Sequence, residues 1–257
     1  MSDPSGLISV ILPAFNCEKT LEETLDSVIG QTYRDLEVIL INDSSTDGTS
    51  AICDRYARKD ARIRYYVNSK NIGTLETRLR AINLAKGEWI AFVDSDDVWD
   101  ICKLEKQVGL QKATGCDLIY TASAFVNENG KKYKWIMHVP EEVGYKRLLR
   151  QNIISNSSVL LRKSDFLKYS PFTERENDMH EDFACWLCML RAGRKARGIN
   201  EPLITYRIHK KSISSNKVNA SKLNMNTYKY IGLDFFERYY YQCCYAVNGI
   251  FKYMHLR

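Results

Sequence analysis

Unbroken apolar runs alternate with amphipathic segments along the first part of the chain. The runs predict strands, and the segments with apolar residues three and four positions apart predict helices. The predicted strands cover residues 7–12, 36–41, 63–67 and 89–93, and the predicted helices cover residues 18–29, 49–58 and 73–85. Strands with nearly continuous rather than alternating apolar residues are covered on both faces, which is typical of a parallel sheet. The pattern therefore predicts an α/β fold in which helices flank an open, mainly parallel sheet.

The pattern is less regular after residue 112. It predicts strands at 117–126 and 157–161, a hairpin turn at 127–130, a helix at 181–192, an extended segment at 202–208 and a long helix at 222–254. No internal repeat or low-complexity linker separates these segments. We therefore expect one continuous domain with a helical C-terminal appendage.

The composition is typical of a globular protein, with 45% hydrophobic and 26% charged residues among 257. The formal net charge of +6 suits anionic substrates or lipid headgroups. The chain lacks the dense basic stripe of a nucleic-acid-binding protein, so we expect no nucleic-acid partner. We expect no secretory leader and no membrane-spanning segment, because no apolar run is long enough to span a bilayer. The eight cysteines are scattered along the chain and are expected to be reduced thiols. These features predict a cytoplasmic protein.

Three carboxylates follow the fourth predicted strand, in the sequence Asp94-Ser95-Asp96-Asp97. Residues two apart in an extended segment point to the same side, so Asp94 and Asp96 can approach one cation together. Mg²⁺ and Mn²⁺ prefer oxygen ligands, and Mg²⁺ is usually held by one or two carboxylates together with substrate phosphates. The motif therefore indicates either a divalent-metal site for a phosphate-bearing substrate or a solvated turn. Asp97 is either part of this site or a cap for the next segment.

Polar residues also follow two other predicted strands, at positions 13–16 and 42–47. Ligands of open α/β sheets bind at the carboxyl ends of the strands, so we expect these segments to meet the acidic cluster at one edge. No strand is followed by Gly-x-Gly-x-x-Gly or by Gly-Lys-Ser/Thr. That absence argues against dinucleotide oxidoreductases and P-loop enzymes.

Five short segments resemble the inverting family 2 glycosyltransferases, which have the GT-A fold. They are SVILPAFN at 9–16, VILINDSSTDGT at 38–49, Asn71-Ile72-Gly73 with Arg78, AKGEWIAFVDSDD at 85–97, and His180-Glu181-Asp182. The resemblance implies a hexosyltransferase of the kind that builds bacterial surface polysaccharides such as O-antigen or capsule. It would move a hexose or N-acetylhexosamine from a UDP-sugar to a sugar hydroxyl on a polyprenyl-diphosphate-linked acceptor, with inversion to a β-linkage.

The resemblance also implies a role for particular residues. The nucleotide-sugar site would contain Pro13, Phe15, Asn16, Asp43, Gly73, Arg78, Asp94, Ser95 and Arg207. Asp43 would accept a hydrogen bond from the base imide, which favours uridine, and Asn42 stands where many relatives have a second Asp. Mn²⁺ or Mg²⁺ would be held by Asp96, with Asp94 and His209 as further ligands. For Arg78, Arg207 and His209 the alternative is an ordinary solvated side chain.

Glu181 and Asp182 begin a predicted helix. Acidic residues also favour helix N-termini because of the helix dipole, so capping is the alternative to a catalytic role. The resemblance implies that Asp182 is the general base and that Glu181 contacts the acceptor or caps the helix. It further implies that residues 1–112 form the nucleotide-sugar half of one GT-A domain, residues 113–217 the acceptor-binding half, and residues 218–257 the appendage.

The C-terminal helix has an aromatic stripe and several basic residues. It either lies in a membrane interface on the inner face of the cytoplasmic membrane or packs against the core or a second subunit. Two other functions remain open for the whole chain. One is a catalytically inactive nucleotide-sugar-binding or scaffold protein. The other is a nucleotidyltransferase, which would need a Gly-rich basic loop where the chain has residues 13–16.

Overall fold

The computed structural model describes residues 6–171, 179–209 and 217–255. The strands are β1 Ile8–Ala14, β2 Leu36–Asn42, β3 Ile63–Val67, β4 Trp89–Phe92, β5 Val98–Trp99, β6 Leu118–Asn127, β7 Lys132–Met137, β8 Leu160–Arg162 and β9 Ala196–Ile208. The α-helices are α1 Leu21–Ile29, α2 Thr49–Lys59, α3 Thr74–Leu84, α4 Lys103–Thr114, α5 Tyr145–Arg150, α6 Lys163–Tyr169, α7 Glu181–Arg191, α8 Lys217–Tyr230 and α9 Phe235–His255. A short 3₁₀ turn covers Asn156–Ser158.

The strands form one curled sheet in the order β3-β2-β1-β4-β8-β6-β9-β5, with β7 paired to β6. β1 is parallel to β2 and β4, β2 is parallel to β3, and β6 is parallel to β9. β8 runs antiparallel to β4 and β6, and β5 runs antiparallel to β9. The predicted α/β fold with a mainly parallel sheet is thus confirmed, and every antiparallel pair includes a strand from the less regular part after residue 112.

The nearly continuous apolar runs arise because both faces of the central strands are covered. β1 and β2 are buried at every position. Successive side chains alternate between faces, so Ile11 and Ile39 enter the core on one side while Val10 and Val38 enter the core on the other. Helices supply the second layer on each side. The continuous hydrophobicity that predicted a parallel sheet therefore has its expected cause.

The carboxyl ends of β1, β2 and β4 lie at the same edge of the sheet. Just beyond the strands, Asp43 N–H donates to Ala14 O at 2.8 Å and Val93 N–H donates to Ile11 O at 3.1 Å. This pairing aligns the polar segments at 13–16, 42–47 and 94–97. The sequence prediction that they meet is confirmed.

The prediction of one helix over residues 222–254 is wrong, because the chain reverses between α8 and α9. Gly232 has φ +79°, a left-handed conformation that glycine adopts without strain. Gly232 N–H donates to Lys229 O, and Leu233 N–H donates to Tyr228 O, which closes the end of α8. Asp234 Oδ1 then accepts from Glu237 N–H at 2.8 Å, and Glu237 Oε2 accepts from Asp234 N–H at 3.2 Å, a capping box that starts α9.

Other predicted boundaries differ in detail. α1 begins at Leu21 rather than at residue 18. Thr20 occupies its N-cap position but makes no side-chain capping bond, and its hydroxyl donates to Ser95 O at 2.9 Å. Helices α4, α5 and α6 were not predicted. β4 pairs with β8, so the predicted halves 1–112 and 113–217 share one sheet, and that division remains a prediction. Across the described ranges, no helix is both long and apolar enough to cross a membrane.

Candidate active site

A cavity of about 390 Å³ lies at the carboxyl edge of β1, β2 and β4. Most of the residues predicted to bind a nucleotide-sugar surround it. Its walls include Pro13, Phe15, Asp43, Arg78, Asp94, Ser95, Asp96, Glu181 and Tyr206. We call it the donor cavity. Phe15 has 47% of its surface exposed, which leaves its ring available for stacking on a planar ligand.

Asp43 holds the loop that precedes α3. Its Oδ1 accepts from Asn68 Nδ2 at 2.6 Å and from Ile72 N–H at 3.0 Å, and its Oδ2 accepts from Gly73 N–H at 2.9 Å. Gly73 has φ +87°, so the close turn depends on glycine. A carboxylate has about four acceptor positions, and one on Oδ2 therefore remains for a ligand N–H. The geometry allows the predicted contact with a base imide. Asp43 also stabilises the loop that precedes α3.

A neighbouring cavity of about 430 Å³ shares Phe15, Ser95 and Asp96 with the donor cavity. Asn16 lies on its wall with φ +46°, and its Oδ1 accepts from Thr46 N–H at 2.9 Å. This side chain therefore ties the loop after β1 to the loop after β2. Its predicted ligand contact would have to come from the side-chain amide nitrogen.

Arg78 projects from α3 toward the acidic cluster. Its guanidinium donates to Asp94 Oδ1 at 2.5 Å. The Arg78 Nε is buried and has no hydrogen-bond partner among the described residues. A buried donor without a partner is costly, so this nitrogen indicates a place for an anionic oxygen from a ligand.

Asp96 and His209 stand together at the mouth of the neighbouring cavity. His209 Nε2 lies 2.8 Å from Asp96 Oδ2, and both residues line that cavity. Burial and the nearby Asp94 raise the pKa of Asp96, and His209 opposes this rise. Residues 210–216, which follow His209, lie outside the described residues.

Arg207 does not reach the donor cavity, in contrast to the role predicted from the sequence. Its side chain is 7% exposed; Nε donates to Asp96 O at 3.1 Å, and the terminal nitrogen pairs with Glu23 at 2.6 Å. The Arg207 N–H also donates to Asp97 Oδ1 at 3.2 Å. Asp97 is fully buried, so it holds β9 against the acidic loop rather than capping the next segment. Burial and two neighbouring carboxylates raise the pKa of Asp97 well above its usual range.

The side chains of Asp94, Asp96 and His209 fit a divalent cation that a bound substrate also coordinates. Within the described residues, no three metal-ligating side chains converge. Asp94 is paired with Arg78, so Asp96 is the carboxylate best placed for a cation, with His209 beside it. Mg²⁺ commonly needs only one or two protein carboxylates when phosphate oxygens complete its shell. The predicted set of Asp96, Asp94 and His209 is thus brought near one place without forming a complete cage.

A third cavity, of about 260 Å³, meets the donor cavity at Asp94 and Tyr206, which line both. Its remaining walls include Ser123, Phe125, Met137, Asn152, Ser155, Asn156, His180, Asp182 and Tyr245. We call it the Asp182 cavity. Aromatic faces combined with amide and hydroxyl groups are suited to a sugar ring, which has apolar faces and a polar rim.

The adjacent acids at the start of α7 enter different cavities. Asp182 lines the Asp182 cavity and accepts from Phe183 N–H at 2.7 Å, whereas Glu181 lines the donor cavity. Burial raises the pKa of Asp182, although His180 and Arg78 partly oppose the rise. Burial also raises the pKa of Glu181. Glu181 was predicted to contact the acceptor or to cap the helix; it lines the donor cavity, and its acceptor contact stays a prediction.

Sequence reasoning missed three polar residues of these cavities. Tyr206 lies where the cavities meet, and burial together with the surrounding carboxylates raises the pKa of its phenol. Ser123 Oγ and Asn156 Nδ2 are buried without a hydrogen-bond partner in the part of the chain that the structure describes. The sequence signals are weak: a serine within the β6 run, an asparagine just before the predicted strand at 157–161, and a tyrosine beside Arg207.

Similarity to known proteins identifies the family of this chain. The model of glycosyl transferase family 2 matches residues 9–174. The chain belongs to glycosyl transferase family 2. The family match takes in the first four sequence segments, whereas Asp182 lies beyond it.

Relatives extend the family 2 assignment over nearly the whole chain. TuaG of Bacillus subtilis (strain 168), named for teichuronic acid biosynthesis, is 33% identical over 98% of this chain and 99% of its own length. WfaP of Escherichia coli, named as a UDP-Glc:alpha-D-GlcNAc-diphosphoundecaprenol beta-1,3-glucosyltransferase, is 33% identical over 96% of this chain and 95% of its own. The sequence-based recognition of the family is confirmed.

A solved structure confirms the GT-A fold. The mannosyltransferase PcManGT from Pyrobaculum calidifontis, in complex with GDP-Man and Mn²⁺, matches with a TM-score of 0.69 and 16% identity. The match covers 95% of this chain and 70% of the other. At this identity the likeness concerns the fold alone.

Proposed function

We propose that this family 2 member moves a hexose or N-acetylhexosamine from a UDP-sugar to a sugar hydroxyl of a polyprenyl-diphosphate-linked acceptor, with inversion to a β-linkage. The observation that carries the proposal is the junction of two cavities at Asp94 and Tyr206, with Asp182 in the second. A donor sugar in one cavity and an acceptor hydroxyl in the other would meet there. The donor and acceptor in the name of WfaP support this choice of substrates.

Asp182 would act as the general base. Its carboxylate takes the proton of the acceptor hydroxyl while that oxygen bonds to the anomeric carbon and the bond from this carbon to the phosphate oxygen breaks. Attack from the face opposite the phosphate inverts the configuration, so an α-linked donor gives a β-linked product. The burial that raises the pKa of Asp182 makes it a better proton acceptor than an exposed aspartate.

The donor cavity would hold the leaving nucleoside diphosphate. Asp43 and Phe15 would contact the base, and Arg78 would exchange its contact with Asp94 for the diphosphate. Mn²⁺ or Mg²⁺, held through Asp96 with Asp94 or His209 nearby, would neutralise the charge that develops on the leaving phosphate. Mn²⁺ in the PcManGT complex supports a divalent cation in this fold.

The proposal also covers the two binding regions of the chain and its location in the cell. We assign most donor contacts to residues 1–112, with Glu181 and Tyr206 completing the donor cavity, and acceptor binding to residues 113–217. We place the enzyme at the cytoplasmic side of the membrane that holds its acceptor. The catalytically inactive alternative is disfavoured because Asp94, Asp96 and Asp182 are all retained in the two joined cavities.

A panel of nucleotide-sugars tests this function. We expect UDP-glucose, UDP-N-acetylglucosamine or UDP-galactose to bind in the presence of Mn²⁺ and to release UDP when α-D-GlcNAc-diphosphoundecaprenol is added, with GDP-mannose as the non-uridine control. Chelation by EDTA should weaken binding. Equal and metal-independent binding of every nucleotide would contradict the proposal.

A further inference from the structure

Helix α9 leaves an apolar stripe on its outer side. The stripe consists of Phe236, Tyr239, Tyr240, Cys243, Ala246 and Val247, spaced three and four residues apart on one side of the helix. All six are exposed; Phe236 has 82% of its surface accessible, and Tyr239, Tyr240 and Val247 each have more than half. We call it the outer stripe. Isolated exposed apolar residues are ordinary, but a continuous set along one helix marks a contact surface.

The core does not need these residues, because the opposite side of α9 does the packing. Tyr245 lies 6.2 Å from the Phe183 ring and Tyr241 lies 6.3 Å from the Tyr228 ring, measured between ring centroids. Tyr245 also lines the Asp182 cavity. The two sequence-based alternatives for this helix are therefore not exclusive: one side packs on the core, and the other is left to a partner.

The helix that packs beside α9 carries exposed basic residues. Helix α5 packs against α9, and Asn248 Nδ2 donates to Arg150 O at 3.2 Å. Lys146, Arg147 and Arg150 of α5 are all exposed. An aromatic stripe beside cationic side chains matches the boundary between apolar chains and anionic headgroups of a lipid surface.

The same charge argues against a second copy as the partner. A two-fold contact would place the same patch of each copy against the other, and so would bring the two basic α5 flanks together. A lipid surface offers the opposite charge. We infer that the outer stripe of α9 and the basic flank of α5 dock this protein on an anionic lipid surface. Because the inner side of α9 lines the Asp182 cavity, docking would hold that cavity close to the membrane.

Sedimentation with vesicles tests this inference and needs no catalysis. We expect the wild-type protein to sediment with vesicles of phosphatidylglycerol and phosphatidylcholine, and only weakly with pure phosphatidylcholine. The double variant Phe236→Ser/Tyr240→Ser should partition at least about tenfold less. Lys146→Gln/Arg147→Gln should lose about fivefold for each charge on the anionic vesicles alone. Ile101→Ser, which alters a side chain of similar exposure outside α9 (56%), is the matched control and should sediment like the wild type.

Two outcomes would overturn the inference. One is equal sedimentation of the wild-type protein and the stripe variant. The other is a wild-type dimer in light scattering that the stripe variant converts to a monomer without a change in vesicle binding, which would assign the stripe to a second copy. Far-UV circular dichroism confirms that each variant is folded. These results are independent of whether the protein transfers sugar, so failure of the docking inference leaves the proposed function to its own test.

Discussion

At the scale of single residues, neighbours in sequence serve different parts of the site. Successive residues of a helix point about 100° apart, so Glu181 and Asp182 enter different cavities although both begin α7. The sequence shows an acidic pair at a helix start but not which cavity each member enters. That information requires the position of α7 relative to β4 and β9, which local patterns do not contain.

Replacement of Asp182 by Asn separates chemistry from binding. The amide keeps the size of the side chain but cannot accept the proton, so we expect turnover to fall by about 10²- to 10⁴-fold. The affinity for UDP with Mn²⁺, measured by calorimetry, should stay within about twofold because Asp182 does not line the donor cavity.

Glu181→Gln is the matched control for that variant. It removes the neighbouring carboxylate from the donor cavity, so it should alter the donor KM more than kcat.

The pH profile adds a second check on Asp182. A base works only when it is ionised, and burial raises the pKa of Asp182. As the pH is lowered, wild-type activity should therefore begin to fall at a pH above the usual aspartate pKa of about 3.9. Unchanged turnover in Asp182→Asn would remove this residue from the base role.

At the scale of elements, the sequence predicts what is repeated and misses helices that are short or whose buried side is polar. β1, β2 and β4 were predicted because each is a largely apolar run whose side chains enter the core on both faces of the sheet. α4 has twelve residues, but its buried side includes Lys103, Gln107 and Gln111 and so shows no apolar period. α5 and α6 have six and seven residues, too few to show a helical period. The break between α8 and α9 does have a signal, in Gly232 followed by the capping pair Asp234 and Glu237, but the apolar stripe runs past it and suggests one helix.

Gly232→Ala should destabilise the protein through the backbone alone. An added Cβ meets no atom within 4 Å, but φ is +79°, where a non-glycine residue costs roughly 1–2 kcal/mol. For a chain of this size that corresponds to a fall in Tm of about 2–8 °C. Gly249→Ala is the control: it lies within α9, meets no atom within 4 Å, and should be neutral or slightly stabilising. Calorimetry that finds equal Tm values for the two variants would contradict this account of the α8–α9 turn.

At the scale of the whole molecule, the site is assembled from segments far apart in the chain. Arg207 of β9 pairs with Glu23 of α1 and bonds to Asp96, while Asp182 comes from α7. The sequence could place the acidic cluster at the carboxyl edge, because parallel strands order that edge by rule. It could not place β9 there, because the antiparallel pairing of β5 with β9 brings the C-terminal segment across the acidic loop. Arg207, which pairs with Glu23, and Glu181, which lines the donor cavity, both come from this second half.

A ligand that bridges both halves of such a site should stabilise the molecule as one unit. UDP with Mn²⁺ at a concentration of 100 Kd adds about 2.7 kcal/mol to the free energy of unfolding. For a chain of this size the corresponding rise in Tm is roughly 5–10 °C. Asp96→Asn should keep the Tm of the unliganded protein within about 2 °C, because Asp96 is partly exposed, yet should lose most of the rise on adding ligand.

In scanning calorimetry we expect one transition before and after the addition, because β4 and β8 join both halves in one sheet. Two separate transitions, with only the first moved by UDP, would show instead that residues 1–112 bind the nucleotide without involving the rest of the molecule.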